Sequence, residues 1–278
     1  MPINHHRQGA GPPLVLLHGI GLRWQIFEPV IGLLAVDHEV IACDSPGFGK
    51  SPALASDITP DIAAYADAFE RFFADEGLEA PHVAGNSMGG AIALELARRG
   101  AVTSATAISP AGFWTPRERT FCQVSLAPLA RTPGAARPAL EALARTRAGR
   151  TALLWQTFGR PTQMPGEVVV QTLRDAWAAP AFADALTAFD RYTFHGGDEL
   201  ARTPLTIAWG NQDRLLPYRT QAPRARALLA QAHHVTLGAG HVPFYDDPAA
   251  VAEAIRAGAH RPVDAATNGR AGAERVPA

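Results

Sequence analysis

The sequence predicts an α/β fold built on a mostly parallel central sheet flanked by helices. Three observations carry this: short apolar, β-branched runs recur along the chain, helical patterns fill the gaps between them, and the runs are apolar throughout rather than alternating. Strands without a polar side are covered on both faces, and strands separated by helices pair in parallel. The runs lie at residues 14–17, 40–43, 83–85, 105–108, 205–209 and 235–237, each bounded by Gly, Pro or Asp. Helices are expected over 24–34, 60–73, 91–99, 221–231 and 248–257, where apolar residues recur three or four apart with charges opposite. The chain starts close to its first apolar run, so no strand is expected before it and one sheet edge is expected to be exposed.

The alternation stops between residues 112 and 198. That stretch offers only 168–170 as a possible strand, and prolines punctuate its helical patterns. It reads as an inserted helical cap, with residues 1–111 and 199–260 forming the two parts of the core. The tail, 261–278, is Ala-, Gly- and polar-rich without periodicity and is expected to be disordered. The insertion holds three of the five tryptophans, Trp114, Trp155 and Trp177, together with Phe121. Most such aromatics fill a small core, but some are expected to line a substrate pocket.

Composition excludes several classes of function. At 278 residues the chain is near the upper size for one domain, and folding at that size buries about 75% of the unfolded surface. With 25 basic against 26 acidic residues, the net charge of −1 gives no general attraction to nucleic acid or anionic membranes. No apolar run approaches the ~20 residues of a membrane span, and the N-terminus lacks the pattern of a secretory signal. Two cysteines, Cys43 and Cys122, make no disulfide framework, so a cytoplasmic protein with reduced thiols is expected. The expected partner is a small-molecule substrate, and nothing in the sequence speaks to oligomeric state.

The chemistry is written at strand ends. Gly85-Asn86-Ser87-Met88-Gly89-Gly90 joins a strand to a helix and matches G-x-S-x-G in the context that motif requires. A sharp strand-to-helix turn strains the serine backbone, and its neighbours two residues away must lack side chains for the turn to close. Ser87 is thereby pushed into the open. The following helix aims its N–H groups and positive end at the serine, where an oxyanion would form.

At this point the sequence resembles the α/β-hydrolase superfamily, from about residue 14 to 257 with the cap as interruption. His18-Gly19-Ile20-Gly21 follows the first apolar run as the family's oxyanion loop does, which implies that the backbone N–H groups of Ile20 and Met88 hold the oxyanion. Asp44-Ser45-Pro46-Gly47-Phe48-Gly49-Lys50-Ser51 resembles the family's D-x-P-G-x-G-x-S turn. Trp209-Gly210-Asn211-Gln212-Asp213 ends a strand where members carry the triad acid, and Gly238-Ala239-Gly240-His241-Val242-Pro243 is similar to the histidine loop. The chain order Ser, Asp, His agrees with the fold's order. Ligands of open α/β sheets bind at the C-terminal edge of the strands, so distant residues converge there. Ser87 is assigned as nucleophile, His241 as general base and Asp213 as the carboxylate that fixes the imidazole tautomer. Asn86 and Val242, beside these residues, join Trp114, Phe121, Trp155 and Trp177 as candidate pocket residues.

Rival residues find structural roles. His18 is expected to shape its loop, Asp44 to bond the turn around Gly47, and Asp246 and Asp247 to cap the last helix before Pro248. Gly49-Lys50-Ser51 is no phosphate-binding loop, because Asp44 stands where its first glycine belongs, and neither Gly19-Ile20-Gly21 nor Gly47-Phe48-Gly49 has the third glycine of a dinucleotide fingerprint. His233 and His234 point to opposite faces of a strand, and no metal-ligand spacing occurs. No metal and no cofactor are expected.

A serine at the elbow disfavours a resemblance to haloalkane dehalogenases and epoxide hydrolases, which use aspartate there. The first expectation is a serine hydrolase cleaving a carboxylic ester, or related acyl bond, of a small and largely apolar substrate through an acyl-enzyme. The alternative is a carbon–carbon bond hydrolase of a ring-fission product, a vinylogous diketo acid, whose elbow the segment 85–90 resembles. Against it, Leu22-Arg23 and Val242 stand where that group is richer in glycine and has tryptophan. Residues 115–160 carry eight arginines against Glu118 and Glu141, which reads first as a solvated basic face; an inward-facing one would instead bind a substrate carboxylate. A ligand receptor on the same fold is the non-enzymatic alternative.

Overall fold

The computed structural model describes residues 2–196 and 200–260. Seven strands form one sheet in the order β1-β3-β2-β4-β5-β6-β7. The six apolar runs become β2 (Pro13–Leu17), β3 (Glu39–Cys43), β4 (His82–Asn86), β5 (Ser104–Ile108), β6 (Leu205–Gly210) and β7 (His233–Leu237). These six pair in parallel throughout. Their side chains alternate between two cores: Val15, Leu17, Ile41 and Val83 join one, while Leu14, Leu16, Val40 and Ala84 join the other. Both faces of β2 to β6 are therefore buried, as runs without polar alternation require, while β7, at one edge of the sheet, is partly exposed.

The expectation that no strand precedes the first apolar run is corrected. His5–Gln8 forms β1, antiparallel to β3 with His5 opposite Cys43. Its residues are polar because an outer strand needs no continuous apolar run, so hydropathy gave no sign of it.

The helices are α1 (Glu28–Leu34, preceded by a 3₁₀ turn at Trp24–Phe27), α2 (Ile62–Asp75) and α3 (Met88–Arg98) before β5, and α9 (Tyr218–Leu228) and α10 (Pro248–Ala259) around β7. Asp61 caps α2 by accepting from Ala64 N at 2.9 Å, and Asp247 caps α10 by accepting from Ala250 N at 3.1 Å. The α1 and α10 helices pack on the face of Leu14 and Leu16, and α2 and α3 on that of Val15 and Leu17.

Between β5 and β6 lie five helices: α4 (Pro116–Ala130), α5 (Arg137–Arg145), α6 (Arg147–Leu154), α7 (Gly166–Ala178) and α8 (Phe182–Ala188). The possible strand at 168–170 is instead the first turn of α7. There Val169, Val170, Leu173 and Ala176 are buried at helical spacing, which outweighs the strand preference of three consecutive valines. Cys43 and Cys122 are free and buried. No helix among the described residues is long and apolar enough to cross a membrane. The expected disordered tail, 261–278, lies outside the described residues.

Candidate active site

Ser87 stands between the end of β4 and the start of α3 with φ 57° and ψ −113°, a left-handed conformation that a non-glycine residue adopts only when its surroundings impose it. The surroundings do so by close approach. A Cβ on Gly85 would lie 2.1 Å from Gly89 O, and one on Gly89 would lie 2.1 Å from Leu17 O. Ser87 N donates to Ile108 O at 3.0 Å and Ala111 N donates to Ser87 O at 3.1 Å, which ties the turn to the end of β5. Met88 opens α3, where N–H groups have no intrahelical acceptor.

His241 and Asp213 come from loops at the ends of β7 and β6. His241 Nδ1 lies 2.8 Å from Asp213 Oδ2, with side-chain exposures of 3% and 0%. The other carboxylate oxygen, Oδ1, accepts from Leu215 N at 3.0 Å and Leu216 N at 2.8 Å. Three acceptor sites are thus filled without solvent, and the imidazole is held by a carboxylate that cannot swing away. Asn86 Nδ2 donates to His241 O at 2.9 Å and to Ile108 O at 3.1 Å, joining the serine turn to the histidine loop.

Ser87 and His241 face one cavity of about 420 Å³, within the range of small-molecule sites. Gly19, Ile20 and Leu22 of the first loop form one wall. The rest comes from the insertion, chiefly Leu126, Leu129, Leu153 and Leu173. Apart from His241, no lining residue carries an ionisable side chain. Asn86, Trp155 and Val242 line the cavity, and Trp155, 52% exposed, stands at its mouth.

The other aromatic candidates are corrected. Trp114 is packed on Phe189 in the core with its Nε1 donating to Tyr192 O, Phe121 is on the outer surface, and Trp177 lies beneath the Arg137 guanidinium. None lines the cavity. What lines it is leucine, presented at helical spacing by α4 as Leu126 and Leu129, a pattern visible in the sequence but indistinguishable there from ordinary packing. The arginines of 115–160 behave as a solvated basic face, and none lines the cavity: Arg145 pairs with Glu167, Arg119 with Asp190, and Arg150 donates to Arg145 O.

The rival groups are accounted for. His18 is fully buried; its Nε2 accepts from Ser45 N at 2.9 Å and its Nδ1 donates to Gly19 O at 2.7 Å, which requires a neutral ring. Burial accordingly holds its pKa below the ordinary value, against the pull of Asp44. Asp44 accepts from Trp24 N, Lys50 N and Asn4 Nδ2, pinning the turn around Gly47. Burial pushes the Cys122 thiol up to about 12, which leaves it no part as nucleophile. Asp37, His38 and His260 bring potential ligand atoms within 4.8 Å of one another, but Arg256 takes the same carboxylate at 3.1 Å.

The expectation for Asp246 is corrected. Only Asp247 caps α10; Asp246, buried, accepts instead from Gly159 N, Arg160 N and Gly240 N. Two adjacent aspartates before a proline look alike in sequence, and only packing separates them.

A sequence profile of the Alpha/beta hydrolase family matches residues 14–254. The chain is 30% identical over 199 residues to epoxide hydrolase EphH of Mycobacterium tuberculosis, covering 69% of this chain and 92% of that protein. Among solved structures it resembles a membrane phospholipase A, described as a bacterial virulence factor, with a TM-score of 0.71 and 28% identity over 92% of this chain and 81% of the other. A thermophilic esterase from Thermogutta terrifontis aligns with a TM-score of 0.70 over 92% of both chains; at 22% identity that likeness concerns the fold alone.

Proposed function

The chain belongs to the alpha/beta hydrolase family and is a hydrolytic enzyme, and from that premise we propose that it cleaves a carboxylic ester of a small, neutral, largely apolar molecule with Ser87 as nucleophile. The observation that carries this reading is the buried His241–Asp213 pair beside the strained Ser87 turn, at an apolar cavity without a charged lining residue. In the reaction, His241 Nε2 takes the Ser87 proton as Oγ attacks the ester carbonyl. The N–H groups of Ile20 and Met88 receive the oxyanion, each such donor being worth on the order of 10² to 10³ in turnover. Collapse expels the alcohol, which leaves with the proton held by His241. Water then attacks the acyl-enzyme by the same route and frees the acid and Ser87.

The insertion, 112–198, acts in this reading as the cap that selects the substrate, since it supplies most of the cavity wall. The similarity to an epoxide hydrolase does not redirect the reading, because a serine stands at the turn where an alkyl-ester intermediate needs a carboxylate. A vinylogous diketo acid fits less well. Its carboxylate would enter a cavity whose lining offers no cation, at a desolvation cost of several kcal/mol.

The test is labelling with a fluorophosphonate probe together with turnover of p-nitrophenyl butyrate. Wild type is expected to be labelled and active and Ser87→Ala to be neither; an unlabelled, inactive wild type would overturn the reading.

A further inference from the structure

The segment of the insertion that follows α6 is fastened directly to the histidine loop. Asp246 is 2% exposed, and its carboxylate accepts three backbone N–H groups: Gly159 N to Oδ2 at 2.7 Å, Arg160 N to Oδ1 at 2.8 Å and Gly240 N to Oδ2 at 2.7 Å. Two of these donors belong to the insertion and the third is the residue immediately before His241. On the other side of His241, Val242 N donates to Thr157 O at 2.8 Å. The guanidinium of Arg160 adds a bond from Nη1 to Asp246 O at 2.6 Å.

The two segments are in backbone contact. A Cβ on Gly240 would lie 2.4 Å from Gly159 N, and one on Gly159 would lie 2.9 Å from Gly240 N. His241 is therefore held from four directions: its ring by Asp213, its carbonyl by Asn86, the preceding N–H by Asp246 and the following N–H by the insertion's Thr157. Two of the four depend on residues 157–160 lying where they do. Displacing that segment moves the backbone that carries the imidazole, and a small misplacement of a general base costs much of its rate.

We infer that Asp246 is a positioning residue that makes the geometry of His241 depend on the seating of the insertion, so that an intact catalytic base and a seated wall are one state. This inference rests on the proposed role of His241. It also identifies 157–160 as a fixed part of the insertion.

The experiment compares Asp246→Asn and Gly159→Ala with Asp247→Ala, which removes the neighbouring helix cap and leaves the clasp untouched. Asp246→Asn withdraws the carboxylate. Gly159→Ala pushes the insertion off Gly240 without altering charge, so it keeps the question open to test if the first variant fails to fold. Both are expected to lower kcat for p-nitrophenyl butyrate by 10- to 100-fold with KM within about twofold, because a misplaced general base slows the chemical step. Amide exchange is expected to speed up together in peptides covering 157–160 and 239–242. Asp247→Ala is expected to lose stability with kcat unchanged.

An unchanged kcat in both clasp variants, a change confined to KM, or exchange that rises in one segment without the other would overturn the inference. Failure of the serine-hydrolase reading would appear separately, as a wild type without turnover, while the exchange data would still decide whether the two segments are coupled.

Discussion

Replacing Asp213 by asparagine removes one charge and almost no volume, and the geometry dictates how the amide must sit. Oδ1 of the native residue accepts two backbone N–H groups, from Leu215 and Leu216, in a site without solvent. An amide NH₂ turned toward them would face two donors, so the asparagine oxygen stays there and its NH₂ is presented to His241 Nδ1. That nitrogen must then accept, which places the ring's single proton on Nε2, the atom assigned to take the proton of Ser87. The base is held in place in the wrong tautomer. Where the same change has been made in serine triads, turnover falls about 10⁴-fold, which corresponds to roughly 5 kcal/mol of transition-state stabilisation. Because the two backbone hydrogen bonds survive, the variant is expected to fold normally. The assay is kcat for p-nitrophenyl butyrate over pH 6 to 9, with circular dichroism and thermal melting on the same preparation. A folded Asp213→Asn protein that retains more than a tenth of wild-type kcat would refute the assignment.

Across a series of straight-chain p-nitrophenyl esters, kcat/KM should rise about fourfold per added methylene until the cavity is full, since burying each is worth ~0.8 kcal/mol, whereas an ω-carboxylate on the same acyl chain should cost at least what one methylene gains; a flat series, or preference for the carboxylate, contradicts an uncharged pocket. Gly89→Ala should cost about 2 to 3 kcal/mol in denaturant-monitored stability and abolish turnover, because the new methyl meets the Leu17 carbonyl, which belongs to β2 and cannot yield; near-native stability would show that the turn has slack. His82, the first residue of β4, lies opposite Ser104 of β5 with its ring 2.5 Å from Ser104 Oγ, and burial, aided by His38 and His260, lowers its pKa from the ordinary 6.5 to about 3. Below pH 6.5 the unfolded chain takes up a proton that the folded one refuses, so stability contributed by this group is complete above pH 6.5 and falls by about 1.4 kcal/mol per pH unit down to pH 3. His82→Gln should flatten the acid side of the stability profile by about that slope, and an unchanged slope would sink the assignment.

Local sequence made the proposed reactive groups legible because each is marked where it stands. Ser87 is framed by glycines between an apolar run and a helix, and Asp213 and His241 each follow a strand within a few residues. Such signals need no knowledge of what lies opposite. The pocket is different in kind. Trp114, Phe121 and Trp177 differ from Trp155 only in where the helices of the insertion set them, and in that region proline-broken helices pack without a sheet to fix their register. His5–Gln8 escaped notice for a related reason: an outer strand is recognised by its neighbour, β3, and carries no hydrophobic pattern of its own.

By itself the sequence determined the parallel sheet, since strands apolar on both sides have no other stable use, and it determined which three side chains arrive at the ends of its strands. Tertiary structure alone decided that the cavity is walled by leucines with no ionisable side chain but His241, and that of two adjacent aspartates Asp247 closes a helix while Asp246 locks the insertion to the histidine loop. Periodicity along a chain fixes which faces must be buried. Which surfaces then meet across hundreds of residues depends on how whole elements pack, and that is not encoded in any short stretch.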